Sequence, residues 1–374
     1  MRRPAAAFSV SPALSIPSSA ENPLGRATTR KGLTHPLGDY GPAEGELHML
    51  APGVGWARIA LPGSLRHINI WALDDRDAEG EGVAIVDTGM ALDRCKASWA
   101  ALFAGPLAGK RVTRVIGTHL HPDHIGLAGW LCDRFGVSLW MTRTEWLMAR
   151  MLEADRRDAP PKEAIGAWRL AGWNSEQIAF ATNAGWGRFC TVVSLLPSSY
   201  VRIVDGQEIA IGDGRWQVVV GSGHTPEHAC LWERDRKLLI AGDQILPRIT
   251  SNVSVTVSEP LGDPLGDWLA SIDRLLDLPD DLLVLPAHGE PFTGLHVRLA
   301  ALRDGHLGQL DDLVAFLREP RTAVDCFPIL FRRELKGDDL YPATGEAMAN
   351  LRRLEETGRA RRVIEDGVAR FLAV

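Results

Sequence analysis

Four ligand-type side chains within six residues, His119, His121, Asp123 and His124, constrain what this chain can fold into more than any other stretch. The run before them, residues 112–118, is apolar and β-branched and reads as a buried strand. Residues 124–135 place apolar side chains at helical spacing and read as a helix. A strand that turns into a helix can aim neighbouring side chains inward in two groups, which neither regular element would do. The bland alternative is a polar loop that happens to be rich in histidine. It is the weaker reading, because the chain holds only 11 His in 374 residues.

The order His-x-His-x-Asp-His after a buried strand resembles the signature of the metallo-β-lactamase-fold hydrolases. That resemblance implies three further ligands, each at the end of a strand. The chain offers His224 in Gly-Ser-Gly-His-Thr-Pro-Glu-His, Asp243 in Leu-Leu-Ile-Ala-Gly-Asp and His288 in Leu-Val-Leu-Pro-Ala-His-Gly-Glu. It covers roughly residues 46–300 and implies an α/β fold, the αββα sandwich of two sheets between helical layers. It also implies that His119, His121 and His224 hold one metal, that Asp123, His124 and His288 hold a second, and that Asp243 bridges them. Imidazole and carboxylate donors suit Zn²⁺, two per chain, with Fe or Mn as the other candidates. Two ions about 3.5 Å apart would share a water and lower its pKa towards ~7, which readies it to attack a carbonyl or phosphoryl centre. Asp123 would orient that water or take its proton, so Asp123 and Asp243 are the expected catalytic carboxylates.

Two departures narrow the branch. His121 stands where redox-active flavodiiron relatives carry Glu, which favours hydrolysis over electron transfer. Asp243 stands where many β-lactamases carry Cys, which favours the glyoxalase-II-like, lactonase-like and nuclease-like branches. In the resembled family an aspartate at the position of Asp87 lies beneath the metals and orients their ligands, since a ligating imidazole needs its other nitrogen bonded. The alternative for Asp87 is a turn carboxylate. His228, four residues after His224, is a candidate eighth ligand, with a partner behind the ligands as the favoured reading and a buried structural histidine as the other alternative. His35, His48, His67, His296 and His306 lack ligand context. In the polar loop after Asp243, Arg248 and Asn252 are the expected substrate-binding residues. The alternative for Arg248 is that it pins the loop.

A net charge of -6 gives no global attraction to nucleic acid or to an anionic membrane. No apolar run reaches the length of a spanning helix. The five cysteines are dispersed without metal-type pairs, which points to a reducing compartment and a cytoplasmic protein. Residues 1–45 are rich in Pro, Ser, Ala and Gly. Their one apolar stretch is broken by Pro12 and Pro17, so they read as a disordered tail rather than an export signal.

Residues 46–300 form the expected hydrolase domain, interrupted at 142–190 by a helical insertion carrying Trp168, Trp173 and Trp186. In related folds such an insertion covers the site and shapes the pocket, here for a substrate with a greasy part. The alternative is that its aromatics only pack on one another. Residues 301–374 run helix, helix, helix, then a hairpin around Asp366-Gly367. This is the order of a winged helix, and it is similar to the C-terminal module of the lactamase-like protein 2 subfamily. Residues 344–374 hold six Arg and five acidic residues, so no basic stripe stands out. The module is expected to pack, or to form a dimer, and to wall the pocket rather than bind nucleic acid.

The resulting expectation is a dinuclear zinc hydrolase acting on a thioester, ester or lactone of a small molecule. A metal-dependent nuclease or phosphodiesterase is the alternative, and a non-catalytic metal scaffold a third reading.

Overall fold

Strands buried on both faces build the two large sheets of this protein. The structure, a computed structural model, describes residues 27–63 and 65–374. Two short strands, Thr28–Arg30 (β1) and Leu33–His35 (β2), pair with each other. The first large sheet has the order His48–Ala51 (β3), Val54–Ala60 (β4), His67–Asp77 (β5), Gly80–Val86 (β6), Val112–Ile116 (β7), Leu139–Met141 (β8) and Val201–Arg202 (β9). Strands β3 to β6 are antiparallel, and β6 to β9 run parallel. The second sheet has the order Glu208–Ile211 (β10), Gly214–Gly221 (β11), His228–Glu233 (β12), Leu238–Gly242 (β13) and Leu283–Pro286 (β14), with only β13 and β14 parallel.

Alternate residues of single strands go to different cores. In β6, Ala84 and Val86 face the second sheet, where they meet Trp216, Val218 and Ile240. Val83 and Ile85 face the helices Asp93–Ala104 (α1) and Ala128–Phe135 (α3), beyond the one-turn helix Pro122–Ile125 (α2). In β13, Leu238 and Ile240 join the layer between the sheets, while Leu239 and Ala241 face outward under a helical layer. Strands apolar on both faces must be covered on both, and the result is the expected αββα sandwich.

The outer layer on the second sheet corrects the expected division of the chain. The insertion helices are Arg143–Ala154 (α4), Lys162–Leu170 (α5) and Ser175–Ala184 (α6). Trp168 and Trp173 from this segment share one core with Pro264–Leu275 (α7), Leu295–Phe316 (α8), Phe327–Leu330 (α9) and Leu340–Glu356 (α10). The rings of Trp168 and Trp173 stack at 5.1 Å, Tyr341 lies 5.4 Å from each, and the Trp173 indole N–H donates to Thr344 Oγ1. Both indoles are buried. These aromatics fasten the insertion to the C-terminal helices and do not line a pocket, so the greasy-substrate expectation loses that support. The hairpin Ala360–Glu365 (β15) and Val368–Ala373 (β16) follows α10.

Two boundaries also move. The expected break between residues 300 and 301 falls inside α8. The expected tail is ordered from Thr28, where Leu33 and His35 are buried and Thr34 bridges to Thr293. Apolar contact on α8 outweighs the loop-like composition of this stretch. Residues 1–26, the remainder of that expectation, lie outside the described residues. No helix of the described residues is long and apolar enough to cross a membrane, and all five cysteines are free.

On α8, His306 is buried edge-on to Trp268, and neither ring nitrogen has a partner. Burial pushes its pKa down to about 4 from 6.5. Between those values the unfolded chain binds the extra proton and the folded chain does not, so stability falls as pH drops from 6.5 towards 4. Urea unfolding of His306→Leu should lack this component. Its stability relative to wild type should improve by roughly 3 kcal/mol between pH 7 and pH 4.

Candidate metal centre

Five strand ends converge on one spot. Asp87 follows β6, the His119–His124 loop follows β7, His224 follows β11, Asp243 follows β13 and His288 follows β14. Four of these strands are parallel members of their sheets. The carboxyl ends of such strands are where open α/β sheets place their ligands. Backbone bonds sew the ends together: Ala229 N–H donates to Thr118 O (2.8 Å), Ala287 N–H to Gly242 O (2.9 Å) and Asn69 N–H to Ala287 O (2.7 Å). Gly242 has φ +50°, and a Cβ there would sit 2.6 Å from the His228 ring. The tight turn that delivers Asp243 therefore has room only for glycine.

The seven expected ligands are brought together. His119 Nε2 lies 2.9 Å from His121 Nδ1 and 3.3 Å from His224 Nε2, and His121 Nδ1 lies 3.0 Å from His224 Nε2. His288 Nε2 lies 3.2 Å from Asp123 Oδ2, and His124 Nε2 lies 3.7 Å from it. The Asp243 carboxylate sits between the two groups. Its Oδ2 is 3.5 Å from His124 Nε2 and 3.6 Å from His224 Nε2, and its Oδ1 is 3.5 Å from His288 Nε2. Each trio has its donor atoms close enough together to hold one ion.

The outward nitrogens decide which atoms point in. His119 Nδ1 faces Thr118 Oγ1 (3.1 Å), His124 Nδ1 faces Asp87 Oδ2 (2.7 Å), His224 Nδ1 faces Asn252 O (2.6 Å) and His288 Nδ1 faces His67 O (3.0 Å). Each of these partners accepts, so each Nδ1 carries the hydrogen. In His119 and His224, which burial keeps neutral, this turns a bare Nε2 lone pair inward. These two Nε2 atoms meet at 3.3 Å, where lone pairs repel, and zinc with Zn–N bonds of about 2.1 Å would set its nitrogens about 3.4 Å apart. His124 Nε2, His288 Nε2 and Asp243 Oδ1 are buried with no hydrogen-bond partner. The donor set and these orphaned atoms fit a pair of divalent cations.

Charge within the site follows the same division. Burial, and then the surrounding imidazoles, hold His119 well below the usual histidine range. Burial and His224 push His121 down to about 3. Burial opposes a charge on His124 as well, but Asp87, Asp243 and Asp123 outweigh it and raise its pKa. Burial likewise opposes ionisation of Asp123 and Asp243, yet His124 and His288 keep both below the ordinary carboxylate range. The first group thus presents neutral imidazoles, and the second pairs carboxylates with imidazoles.

Asp87 sits under the loop at φ 62°, an uncommon backbone for a residue with a Cβ. Its carboxylate accepts from Thr118 N–H (2.9 Å), Thr118 Oγ1–H (2.9 Å) and His124 Nδ1–H. His228 is fully buried, stacks 4.7 Å from His119, and accepts the Asp243 backbone N–H at its Nε2 (3.0 Å). It stands behind the ligands rather than among them. Arg248 forms an ion pair with Glu290 at 2.5 Å and a second contact with Asp39. The Asn252 side chain donates to Glu346 (3.0 Å), and its carbonyl orients His224. Both head groups are therefore engaged within the protein. Sequence reasoning missed Asn69, whose amide donates to Pro286 O and Gly289 O at 2.8 Å each and so clamps the His288 turn. Nothing in a mid-strand asparagine signals a partner so distant in the chain.

Residues 63–288 match the family model described as the metallo-beta-lactamase superfamily, and residues 310–374 match that of the metallo-beta-lactamase-like C-terminal domain. The acyl-coenzyme A thioesterase MBLAC2 of Gallus gallus is 27% identical over 261 residues, 65% of this chain and 80% of that protein. The crystal structure of a beta-lactamase domain protein from Burkholderia ambifaria superposes with a TM-score of 0.81 at 37% identity, covering 91% of this chain and 98% of that one. A metallo-beta-lactamase family protein from Thermus thermophilus superposes with a TM-score of 0.72 at 26% identity, covering 87% of this chain and 100% of that one.

Asp87→Ala should orphan two buried donors on Thr118 and free the His124 ring. We expect a stability loss of roughly 2–4 kcal/mol and a roughly 10–100-fold weaker hold on the ion at the Asp123, His124 and His288 group. Chelator competition alongside urea unfolding measures both.

Proposed function

The chain belongs to the metallo-β-lactamase superfamily and is a hydrolase, and on that premise we propose that it uses two zinc ions to cleave a thioester, ester or lactone bond of a small molecule. The observation that carries this reading is the Asp243 carboxylate, whose Oδ2 stands 3.6 Å from His224 Nε2 of one ligand group and 3.5 Å from His124 Nε2 of the other, with Oδ1 3.5 Å from His288 Nε2. Two cations held there would polarise the scissile carbonyl and lower the pKa of a water beside it. The protein supplies the rest. His119, His121 and His224 would hold one ion, Asp123, His124 and His288 would hold the other, and Asp243 would contribute to both. Asp123 is the more exposed of the two aspartates, and it is the group placed to orient the attacking water and accept its proton.

Support for an acyl substrate comes from two sides. One relative bears the name acyl-coenzyme A thioesterase. Leu65 and Ile249 expose large apolar side chains, the first on the loop leading into His67 and the second on the loop leaving Asp243. An acyl chain passing the mouth of the site would cover such residues. Arg248 would meet a substrate anion only by giving up Glu290. The phosphodiester reading draws on the C-terminal module alone and is opposed by the acidic net charge.

Wild-type protein purified without added metal should contain close to two ions per chain. It should hydrolyse acyl-thioesters in preference to bis(p-nitrophenyl) phosphate or an alkyl sulfate. Asp243→Ala should remain folded by circular dichroism and lose more than the ~10–100-fold typical of a lost outer partner. Turnover confined to the phosphodiester or the sulfate would transfer the assignment to that ester class.

A further inference from the structure

The first trio of ligands comes from two different sheets. His119 and His121 follow β7 of one sheet, and His224 follows β11 of the other. The Nε2 atoms of His119 and His224, both without hydrogen, nevertheless stand 3.3 Å apart, a spacing that their lone pairs oppose. Something other than the rings must hold these loops together before an ion arrives.

One such link, beside the Ala229 N–H to Thr118 O bond, runs through the first turn of insertion helix α4. Glu145 is fully buried there. One of its carboxylate oxygens accepts the Leu120 N–H (2.9 Å), and the other accepts the Glu227 N–H (2.8 Å). Leu120 lies between His119 and His121, and Glu227 lies three residues beyond His224. The contact is returned. The Glu227 carboxylate accepts the Thr144 N–H (2.6 Å), one of the donors a helix leaves unpaired at its start, and the Glu227 carbonyl accepts from Thr142 Oγ1 (2.7 Å). Four bonds thus join the helix start to both loops. The residue type matters. An ionised carboxylate is acceptor-only at two oxygens, so it can take two backbone N–H groups at once. Glutamine offers one acceptor and one donor, and aspartate is a methylene shorter. Burying a carboxylate without a cationic partner is costly, and accepting two backbone N–H groups offsets part of that cost, while burial still pushes the Glu145 pKa up to about 7.

We propose that Glu145 is a positioning residue for the first metal, setting the separation of His119 and His121 from His224. On this view the insertion is a working part of the metal centre and not only a cover. The inference rests on the reading that these three histidines ligate an ion.

The experiment is a zinc titration against a chromophoric chelator on full-length wild type, Glu145→Gln and Glu145→Ala, repeated with Co²⁺ to follow each site by its absorption. Wild type should bind two ions. Glu145→Gln should weaken the His119, His121 and His224 site roughly 10–100-fold and leave the Asp123, His124 and His288 site within about twofold. Wild type binding no ion would remove the ligand reading itself. Wild type binding two ions, with Glu145→Gln binding both at wild-type affinity, would overturn only the role of Glu145. Equal weakening at both sites would also overturn it, as the mark of general destabilisation. If neither variant folds, amide hydrogen exchange on metal-free wild type decides. The Leu120 and Glu227 amides should stay protected together, and exchange at free-loop rates would refute the link.

Discussion

Two bare imidazole nitrogens that face each other are the constraint to which the rest of this structure answers. Nothing in hydrophobic packing would bring His119 Nε2 and His224 Nε2 to 3.3 Å, and their lone pairs favour separating them. The arrangement is stable only if the surrounding protein holds each ring from behind and a cation occupies the middle. Each of four rings accordingly has an acceptor on its outer nitrogen: Thr118, Asp87, Asn252 O and His67 O. These partners come from different elements, so the site can form only when both sheets are already assembled.

The sandwich makes that assembly rigid. Strands apolar on both faces lock the sheets between helical layers, and backbone bonds such as Ala229 N–H to Thr118 O cross from one sheet to the other at the site. Asp87 holds a positive φ beneath the first loop, a local cost accepted where its carboxylate gathers three donors. The insertion and the C-terminal helices share one core. Each also reaches the site, through Glu145 on one side and through Glu346 and Asn252 on the other. Parts of the chain that look like separate additions are thus tied to the same few loops.

What is legible in the residues, and what is not, divides along chemical lines. Ligand-type side chains are rare in apolar surroundings, so His119, His121, Asp123, His124, His224, Asp243 and His288 stand out at the ends of apolar runs, and the structure gathers all seven. The buried strands are equally legible, because a strand covered on both faces is a short apolar, β-branched run. The tryptophans of the insertion admit two readings. An indole buried against Tyr341 and an indole lining a pocket have the same composition, and only the packing separates them. Arg248 is ambiguous for the same reason, since its partner Glu290 lies 42 residues away in sequence.

By itself, then, the sequence shows ligand-type side chains at the ends of apolar runs, and its resemblance to the metallo-β-lactamase-fold hydrolases implies the layered fold and the grouping of those side chains. The tertiary structure alone decided which carboxylates and carbonyls stand behind those ligands, that residues 28–35 belong to the folded body, and that insertion and C-terminal helices form one layer. Asn69, Glu145 and Glu346 are ordinary polar residues on ordinary elements, and no periodicity marks them. Their role exists only in three dimensions, where a buried backbone N–H or carbonyl must find a partner and takes the one that chain folding brings within about 3 Å.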